Sequence, residues 1–295
     1  MKTVTVVGPG RLGGALAIAL ARAGYTIETL VYRSASPDDG LLALLPATTT
    51  VPIGSIETLD SDVVLICTQD TEIGSATAEL VGKLNAQVVL HTSGSLASSE
   101  LEDLRVGTVS IGSMHPLVSI SDAIGGAEKF AGAYFCVEGE ARAVEAATEL
   151  AASIGGKTFS IRTEAKPLYH AAAVMSSGHL VALLETSASV LERCGVPAAE
   201  ARAILAPLVA STVSNLKETT AARSMTGTYA RLDIPAFRRH LSSLERLADD
   251  LTIAIYLDLA LRSLEIVESV SKDPSAAAAF REEVSIAKRK RRVIK

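Results

Sequence analysis

The sequence has no tryptophan and few aromatic residues of any kind, 4 % of 295. Its cores must therefore be mainly aliphatic, with many alanine contacts between helices. Cysteine is scarce too. Cys67, Cys136 and Cys194 are odd in number and far apart. They offer neither a disulfide framework nor zinc spacing, so a reducing, cytoplasmic setting and no metal are expected. Basic residues are not in excess. The net charge of −5 argues against nucleic acid as the main partner. Long apolar runs are missing as well, and no stretch approaches the ~20 residues of a membrane span. No membrane partner is expected. The apolar start is broken by glycines and Arg11 where a signal peptide would carry its hydrophobic region. No Ser-His-Asp set, P-loop or internal repeat is present.

Glycine, by contrast, is placed with a pattern. Val4-Thr5-Val6-Val7 is a β-branched run that stops at Gly8, and Ala15 to Ala23 is rich in Ala and Leu. The first reads as a buried strand and the second as a helix closed by Gly24. Between them lies G-x-G-x-x-G, formed by Gly8, Gly10 and Gly13 around Arg11 and Leu12. Gly8 allows a tight turn, Gly10 lets the backbone approach a pyrophosphate, and Gly13 lets helix and strand pack closely. The N–H groups opening the helix favour an anion. The expected ligand is a dinucleotide.

The second strand, Tyr25 to Tyr32, ends at Arg33-Ser34. An acidic residue here would hold the 2′-hydroxyl of NAD. A cation and a hydroxyl suit a 2′-phosphate, so NADP is the expected cofactor, unless Arg33 is only a solvated surface residue. Glu28 lies too early in the strand to be the ribose ligand. A short helix is expected at Asp38–Leu45 and a short strand at Thr48–Pro52. The strand Asp62–Cys67 leads to Thr68-Gln69-Asp70, with Asp70 the expected N-cap of a helix through Leu84. Strand ends of this kind face the cofactor, so Thr68 and Gln69 are candidates for it, although a plain loop role fits Gln69 equally. Further strands are expected at Gln87–Leu90, Val106–Ile111, Ala133–Val137 and Lys157–Ile161, the last two flanking a helix from Glu140 to Ser153. Alternating strands and helices give a doubly wound, mostly parallel sheet.

After residue 162 no convincing strand appears. One long helix is expected from Thr163 to Arg193, then helices over Ala198–Ala222, Ile234–Ala248, Asp250–Lys272 and Ala276–Lys288. The expected organisation is a dinucleotide-binding domain at 1–162, an all-helical substrate and dimerisation domain at 163–288, and a basic tail at 289–295, read as a solvated or disordered end.

A fold does not name a reaction, so the chemistry must come from residues around the nicotinamide. Lys166 and His170 are four apart and share a helix face. A polar stripe on an apolar helix is costly to bury unless it lines a cleft or finds partners. Lysine can hold a substrate carboxylate or protonate a carbonyl oxygen, and histidine can do the same near neutral pH. The plainer readings are a surface lysine and a satisfied core histidine. His115 precedes Pro116, which restricts its backbone toward extended geometry, and suits either substrate binding or a loop hydrogen bond. Ser93, beside Gly94, can hydrogen-bond substrate or carboxamide, and His91 reads as structural.

Four segments now stand in order. They are Val6-Val7-Gly8-Pro9-Gly10-Arg11-Leu12-Gly13, His91-Thr92-Ser93-Gly94-Ser95, Gly112-Ser113-Met114-His115-Pro116-Leu117 and Lys166-Pro167-Leu168-Tyr169-His170-Ala171-Ala172. Together they resemble a bacterial family of Rossmann-like proteins with a C-terminal helical domain of unknown function. That family is similar to 6-phosphogluconate and hydroxyisobutyrate dehydrogenases, ketopantoate reductase, pyrroline-5-carboxylate reductase and prephenate dehydrogenase. The resemblance covers essentially the whole chain. It implies an NADP-binding domain followed by helices that pair as a homodimer. Lys166 resembles the helix-borne lysine that polarises the reacting oxygen in the hydroxyacid and ketopantoate enzymes, with His170 where they carry Asn. Ser93 and His115-Pro116 are similar in order and spacing to the prephenate dehydrogenase residues that contact the reacting hydroxyl. The family's Thr-Gly-Pro…Arg-Gly-Asp loop reads Thr226-Gly227-Thr228-Tyr229-Ala230-Arg231-Leu232-Asp233 here, without its Pro and second Gly. The expected function is an NADP-dependent oxidoreductase acting on a small carboxylate-bearing oxo or hydroxy compound, with Lys166 or His115 as proton donor and His170 and Ser93 orienting the substrate. The alternative is a cofactor-binding sensor or scaffold without turnover, which would have a sealed or apolar pocket at the nicotinamide.

Overall fold

The computed structural model describes residues 2–293. Its strands are β1 (Thr3–Val7), β2 (Thr26–Tyr32), β3 (Thr49–Pro52), β4 (Val63–Ile66), β5 (Val88–His91), β6 (Ser110–Pro116), β7 (Tyr134–Gly139) and β8 (Lys157–Ser160). They form one sheet in the order β3-β2-β1-β4-β5-β6-β7-β8. Neighbours run parallel except β6 and β7, which are antiparallel. The period-2 alternation of strands sorts the core into two layers. Val4, Val6, Val63, Leu65, Val88 and Leu90 face the layer of α1 (Arg11–Arg22) and, further along the chain, α5 (Ala141–Ser153). Val7, Val31, Val64, Ile66 and Val89 face the other layer, with Ile73, Ala76 and Leu80. Each such side chain, fully buried, contributes about 1.5–3 kcal/mol.

The remaining helices of this half are α2 (Asp39–Leu44), α3 (Asp70–Leu80), α4 (Ala123–Gly126) and α6 (Lys166–Ser176). Asp38 caps α2, its side chain accepting from Leu41 N–H at 2.9 Å. Asp70 is not the N-cap expected from the sequence. Gln69 holds that position, Asp70 is the first helical residue, and its carboxylate accepts from Ser95 Oγ at 2.6 Å. The helix stops at Leu80 rather than Leu84, ahead of Gly82 with φ +74°. β6 also runs further than expected. Its pairing with β7 sets Met114 against Val137 and His115 against Cys136, so His115 lies within the strand and not in a loop after it.

The expected single helix from Thr163 to Arg193 is divided. A 3-10 turn (Thr163–Ala165) opens it, α6 follows, and at Ser177 the backbone leaves helical geometry (φ −124°, ψ −81°) before α7 (Gly178–Glu192). Ser176-Ser177-Gly178 combines weak helix formers at the break. The chain falls into two compact units there, residues 1–177 and 178–295. The boundary thus lies beyond 162, because α6 belongs with the sheet.

The second unit continues with α8 (Ala198–Glu218), α9 (Ala221–Ser224), α10 (Gly227–Ala230), α11 (Ile234–Leu247), α12 (Asp250–Glu268) and α13 (Pro274–Val293). α8 remains helical through Pro207. Asp233 and Asp249 cap α11 and α12, accepting from Ala236 and Thr252 N–H at 2.8 Å each. The core of this unit departs from the aliphatic expectation. Phe280 stacks on Tyr229 at 5.7 Å and meets Phe237 edge-on at 5.3 Å, and Tyr256 stacks on Phe237 in the same cluster. The basic tail is corrected as well. Residues 289–293 are the last turns of α13, with Lys288 paired to Asp258, Arg289 to Glu282 at 2.6 Å and Arg291 to Asp250. Residues 294 and 295 lie outside the described residues. Thr163–Glu192 contains an 18-residue window of mean hydropathy 1.2, apolar enough by length and composition to cross a bilayer, although polar residues interrupt it and the helix breaks at Ser177.

Candidate cofactor and active site

The glycine turn can be tested position by position. Gly8 has φ +85°, a conformation that side chains disfavour. A Cβ on Gly13 would lie 2.2 Å from the Gly8 carbonyl oxygen, so α1 closes onto β1 only because residue 13 has none. Gly10 faces open space, where a Cβ would meet nothing within 4 Å. No side chain caps α1, and no acidic residue occupies its first turn. Its leading N–H groups are thus available to an anion, and the residues fit a pyrophosphate. Thr68 Oγ1 is buried beside this turn without a hydrogen-bond partner among the described residues.

A cavity of about 480 Å³ opens from the turn across the strand ends. Gly10, Arg11 and Leu12 form one end, and Thr68, Gln69 and Asp70 follow from β4. Ser93 and Gly94 after β5, His115 on β6 and His170 on α6 also line it. Eight of the residues singled out in the sequence therefore meet around one space: Gly10, Arg11, Leu12, Thr68, Gln69, Ser93, His115 and His170. Arg33 and Ser34 stand apart at the exposed end of β2, adjacent to the turn through the Gly8 N–H to Val31 carbonyl bond of 2.8 Å. Arg33 pairs with Glu79 at 2.8 Å and donates to Ser75 Oγ at 3.2 Å. Glu28 is engaged elsewhere, accepting from Ser61 Oγ at 2.5 Å.

Lys166 does not face this cavity, contrary to the sequence expectation. It is fully buried, and its ammonium donates to the Ser93 carbonyl at 3.0 Å, Ser113 Oγ at 2.6 Å and Glu138 Oε1 at 3.4 Å. A lysine has three N–H donors, and all three are used. Burial pushes its pKa down, against the Glu138 charge, which raises it. Glu138 collects further bonds from Ser98 N–H and Oγ, Ser113 Oγ and Thr163 Oγ1. Burial opposes its ionisation, yet the bond from Ser113, the Lys166 charge and the bonds from Ser98 outweigh that and hold the carboxyl below its ordinary range. This network pins the start of α6 to β6 and β7, and thereby sets His170, one turn later, at the cavity. Lys166 anchors the first turn of α6 to the sheet. Sequence reasoning missed Glu138, although a lone carboxylate in the apolar strand Tyr-Phe-Cys-Val-Glu is a sign that a cation must be near.

The histidines divide by their partners. His91 is buried with both ring nitrogens satisfied: Nε2 meets the Ala97 carbonyl at 2.9 Å and Nδ1 accepts from Ser93 N–H at 3.2 Å. Burial and the Lys166 charge press its pKa down to about 4, so it is neutral and structural. Ser93 Oγ is occupied in turning its own loop, accepting from Ser95 and Leu96 N–H at 3.1 and 3.0 Å. His115 Nδ1 lies 2.6 Å from Tyr169 Oη, and its Nε2 has no hydrogen-bond partner among the described residues. Burial, followed by the neighbouring His170 and Lys166, lowers its pKa to about 4. His170 meets it edge-on at 5.8 Å and has no hydrogen bond among the described residues. Gly94 separates the rings. A Cβ there would fall 2.6 Å from His170 Cδ2 and 2.9 Å from His115 Nε2.

Residues 1–116 match the Rossmann-like domain family, and residues 133–263 match the Domain of unknown function (DUF2520) family. The chain is therefore a Rossmann-like protein with a DUF2520 C-terminal domain, as the motifs of its sequence suggest. No curated protein matches it. Among solved structures, the Thermotoga maritima protein TM1727 is 24 % identical with a TM-score of 0.70, over 90 % of this chain and 98 % of its own. The Bacteroides fragilis protein BF3122, provisionally named an NADP oxidoreductase, is 19 % identical with a TM-score of 0.70 over the same shares. Plasmodium falciparum pyrroline carboxylate reductase, solved with NADP bound, is 14 % identical with a TM-score of 0.61, over 95 % of this chain and 97 % of its own. These likenesses are of fold.

Proposed function

We propose that the chain is an NADP-dependent oxidoreductase acting on a small carboxylate-bearing oxo or hydroxy compound. The observation that carries this is the single cavity joining an open, uncapped glycine turn to a pair of imidazoles. A wholly apolar or sealed pocket would suit a sensor without turnover, and this lining is polar. A nicotinamide cofactor supplies or accepts the hydride. The residues of the chain hold its pyrophosphate at Gly10 to Gly13 and its 2′-phosphate at Arg33 and Ser34. His115 donates a hydrogen bond from Nε2 to the substrate oxygen, and His170 returns the proton. This assignment replaces Lys166 with the two histidines. BF3122 and the NADP-bound pyrroline carboxylate reductase support the cofactor and reaction type by fold, and ketopantoate is the first compound to test.

Titration with both cofactors, followed by a screen of 2-oxo acids, 3-oxo acids and cyclic imines for NADPH oxidation, tests this reading. NADPH is expected to bind more tightly than NADH. The exposed Arg33–Glu79 pair is worth little in water and yields readily to a phosphate. Arg33→Ala should therefore cost about tenfold in NADPH affinity, the order of one charge-assisted hydrogen bond, and leave NADH affinity nearly unchanged. Equal affinities for the two cofactors would remove the NADP assignment.

The helical unit is proposed to pair with a second copy. Val181 on α7 and Ile204 and Leu208 on α8 are each more than half exposed. Apolar exposure of that density on adjacent elements marks an interaction surface. Light scattering should give twice the chain mass of 30.7 kDa, and Val181→Glu with Leu208→Glu should shift it toward the monomer.

A further inference from the structure

We infer that Tyr169 is a positioning residue that fixes His115 as one tautomer, with the proton on Nε2 and facing the substrate oxygen. The inference rests on the proposed role of His115. Its ground is the geometry around the phenol. Tyr169 Oη lies 2.6 Å from His115 Nδ1, with the two rings edge to face at 5.6 Å and 85°. Phe159 on β8 also packs edge to face against the tyrosine ring at 5.9 Å and limits its swing. Cys136, the cross-strand partner of His115, places its thiol against the same phenol.

The phenol has one proton and two neighbours that can accept it. Imidazole nitrogen is a strong acceptor and thiol sulfur a weak one. The proton therefore points at Nδ1. A neutral imidazole that accepts at Nδ1 must carry its own proton on Nε2. Protonating the ring would require the phenol to turn round and donate to sulfur instead, so the tyrosine opposes the imidazolium. The charged and titratable groups facing His115 are His170 and Lys166 on α6, Asp70 on α3 and His91 on β5. Of these only Asp70 favours the cation, and its carboxylate is tied to Ser95.

The consequence is a division of labour. A neutral Nε2–H stabilises negative charge on the substrate oxygen by hydrogen bonding without surrendering its proton, and His170 is left to return one. Neither the motif pattern nor spacing reveals this, because Tyr169 and His115 are 54 residues apart.

The test is 15N NMR of the full-length chain with labelled histidine, recorded from about pH 8 down to pH 5. In the wild type, His115 should show protonated Nε2 and unprotonated Nδ1 throughout. Tyr169→Phe should give a mixture of tautomers and raise the titration midpoint by about one pH unit, whereas Phe159→Leu should leave the tautomer unchanged. With a substrate from the screen, Tyr169→Phe should lower kcat about tenfold at unchanged NADPH affinity, and add nothing to a His115→Ala background. A wild-type spectrum with the proton on Nδ1, or a Tyr169→Phe spectrum identical to wild type, would overturn the inference. The wild-type spectrum decides even if the variant fails to fold. A chain that shows the Nε2–H tautomer but turns over nothing loses the proposed function and keeps the tyrosine–histidine arrangement.

Discussion

Lys166→Met is expected to lower the unfolding free energy by about 3–5 kcal/mol, the usual cost of stranding one member of a buried ion pair. The argument runs through Glu138 rather than the lysine. With Lys166 gone, a carboxylate that is 4 % exposed loses its only buried cationic partner in the network, and the Ser93 carbonyl and Ser113 hydroxyl lose a donor. Replacing both charges, as Lys166→Met with Glu138→Leu, should recover most of the loss, since apolar isosteres of similar volume often match a buried pair. Chemical denaturation followed by circular dichroism reads both numbers. A single-variant loss below about 1 kcal/mol would mean that the pair is solvated. The acid limb has a defined sign. The folded pKa of Glu138 is depressed, so its contribution is complete above its unfolded value, roughly 4.3, and disappears as the pH falls through the folded value. The Lys166→Met, Glu138→Leu variant should lack that part of the wild-type acid transition.

The second large effect is on chemistry. His115→Ala should reduce kcat by about 10²–10⁴, the range for losing a positioned proton-bearing group, while NADPH affinity stays within about twofold. Gly10 to Leu12 lie at the other end of the cavity, which is why the two quantities separate. His170→Ala should act in the same direction. The ring of His115 is neutral above about pH 4. Turnover should therefore show no inflection from this group between about pH 5 and 8. Near-normal turnover in His115→Ala would shift the chemistry to His170 alone.

Much of this molecule was legible in its sequence, for physical reasons that differ from element to element. β1, its glycine turn and α1 are local: the turn needs Gly8 at positive φ and Gly13 bare, and both needs are met within a dozen residues. β4 and β5 were legible because burial on both faces leaves little but Val, Ile and Leu. What was not legible depends on distant pairing. β6 extends to His115 only because β7 lies antiparallel beside it. Lys166 was placed on a catalytic face by its i, i+4 relation to His170, but its destination is set by Glu138 on another strand. The C-terminal basic cluster looked solvated because its acidic partners Asp250 and Asp258 are on α12, some thirty to forty residues earlier. The break at Ser177 is local, yet two serines and a glycine in an alanine-rich run gave too weak a signal to end a helix.

Gly94 leaves a mark on how this protein can change over generations. With a Cβ there falling within 3 Å of both rings, a bulkier residue at 94 fits only where one imidazole has been exchanged for something smaller or has turned away. Positions 94, 115 and 170 are thereby coupled, and drift at one is permitted only by drift at another.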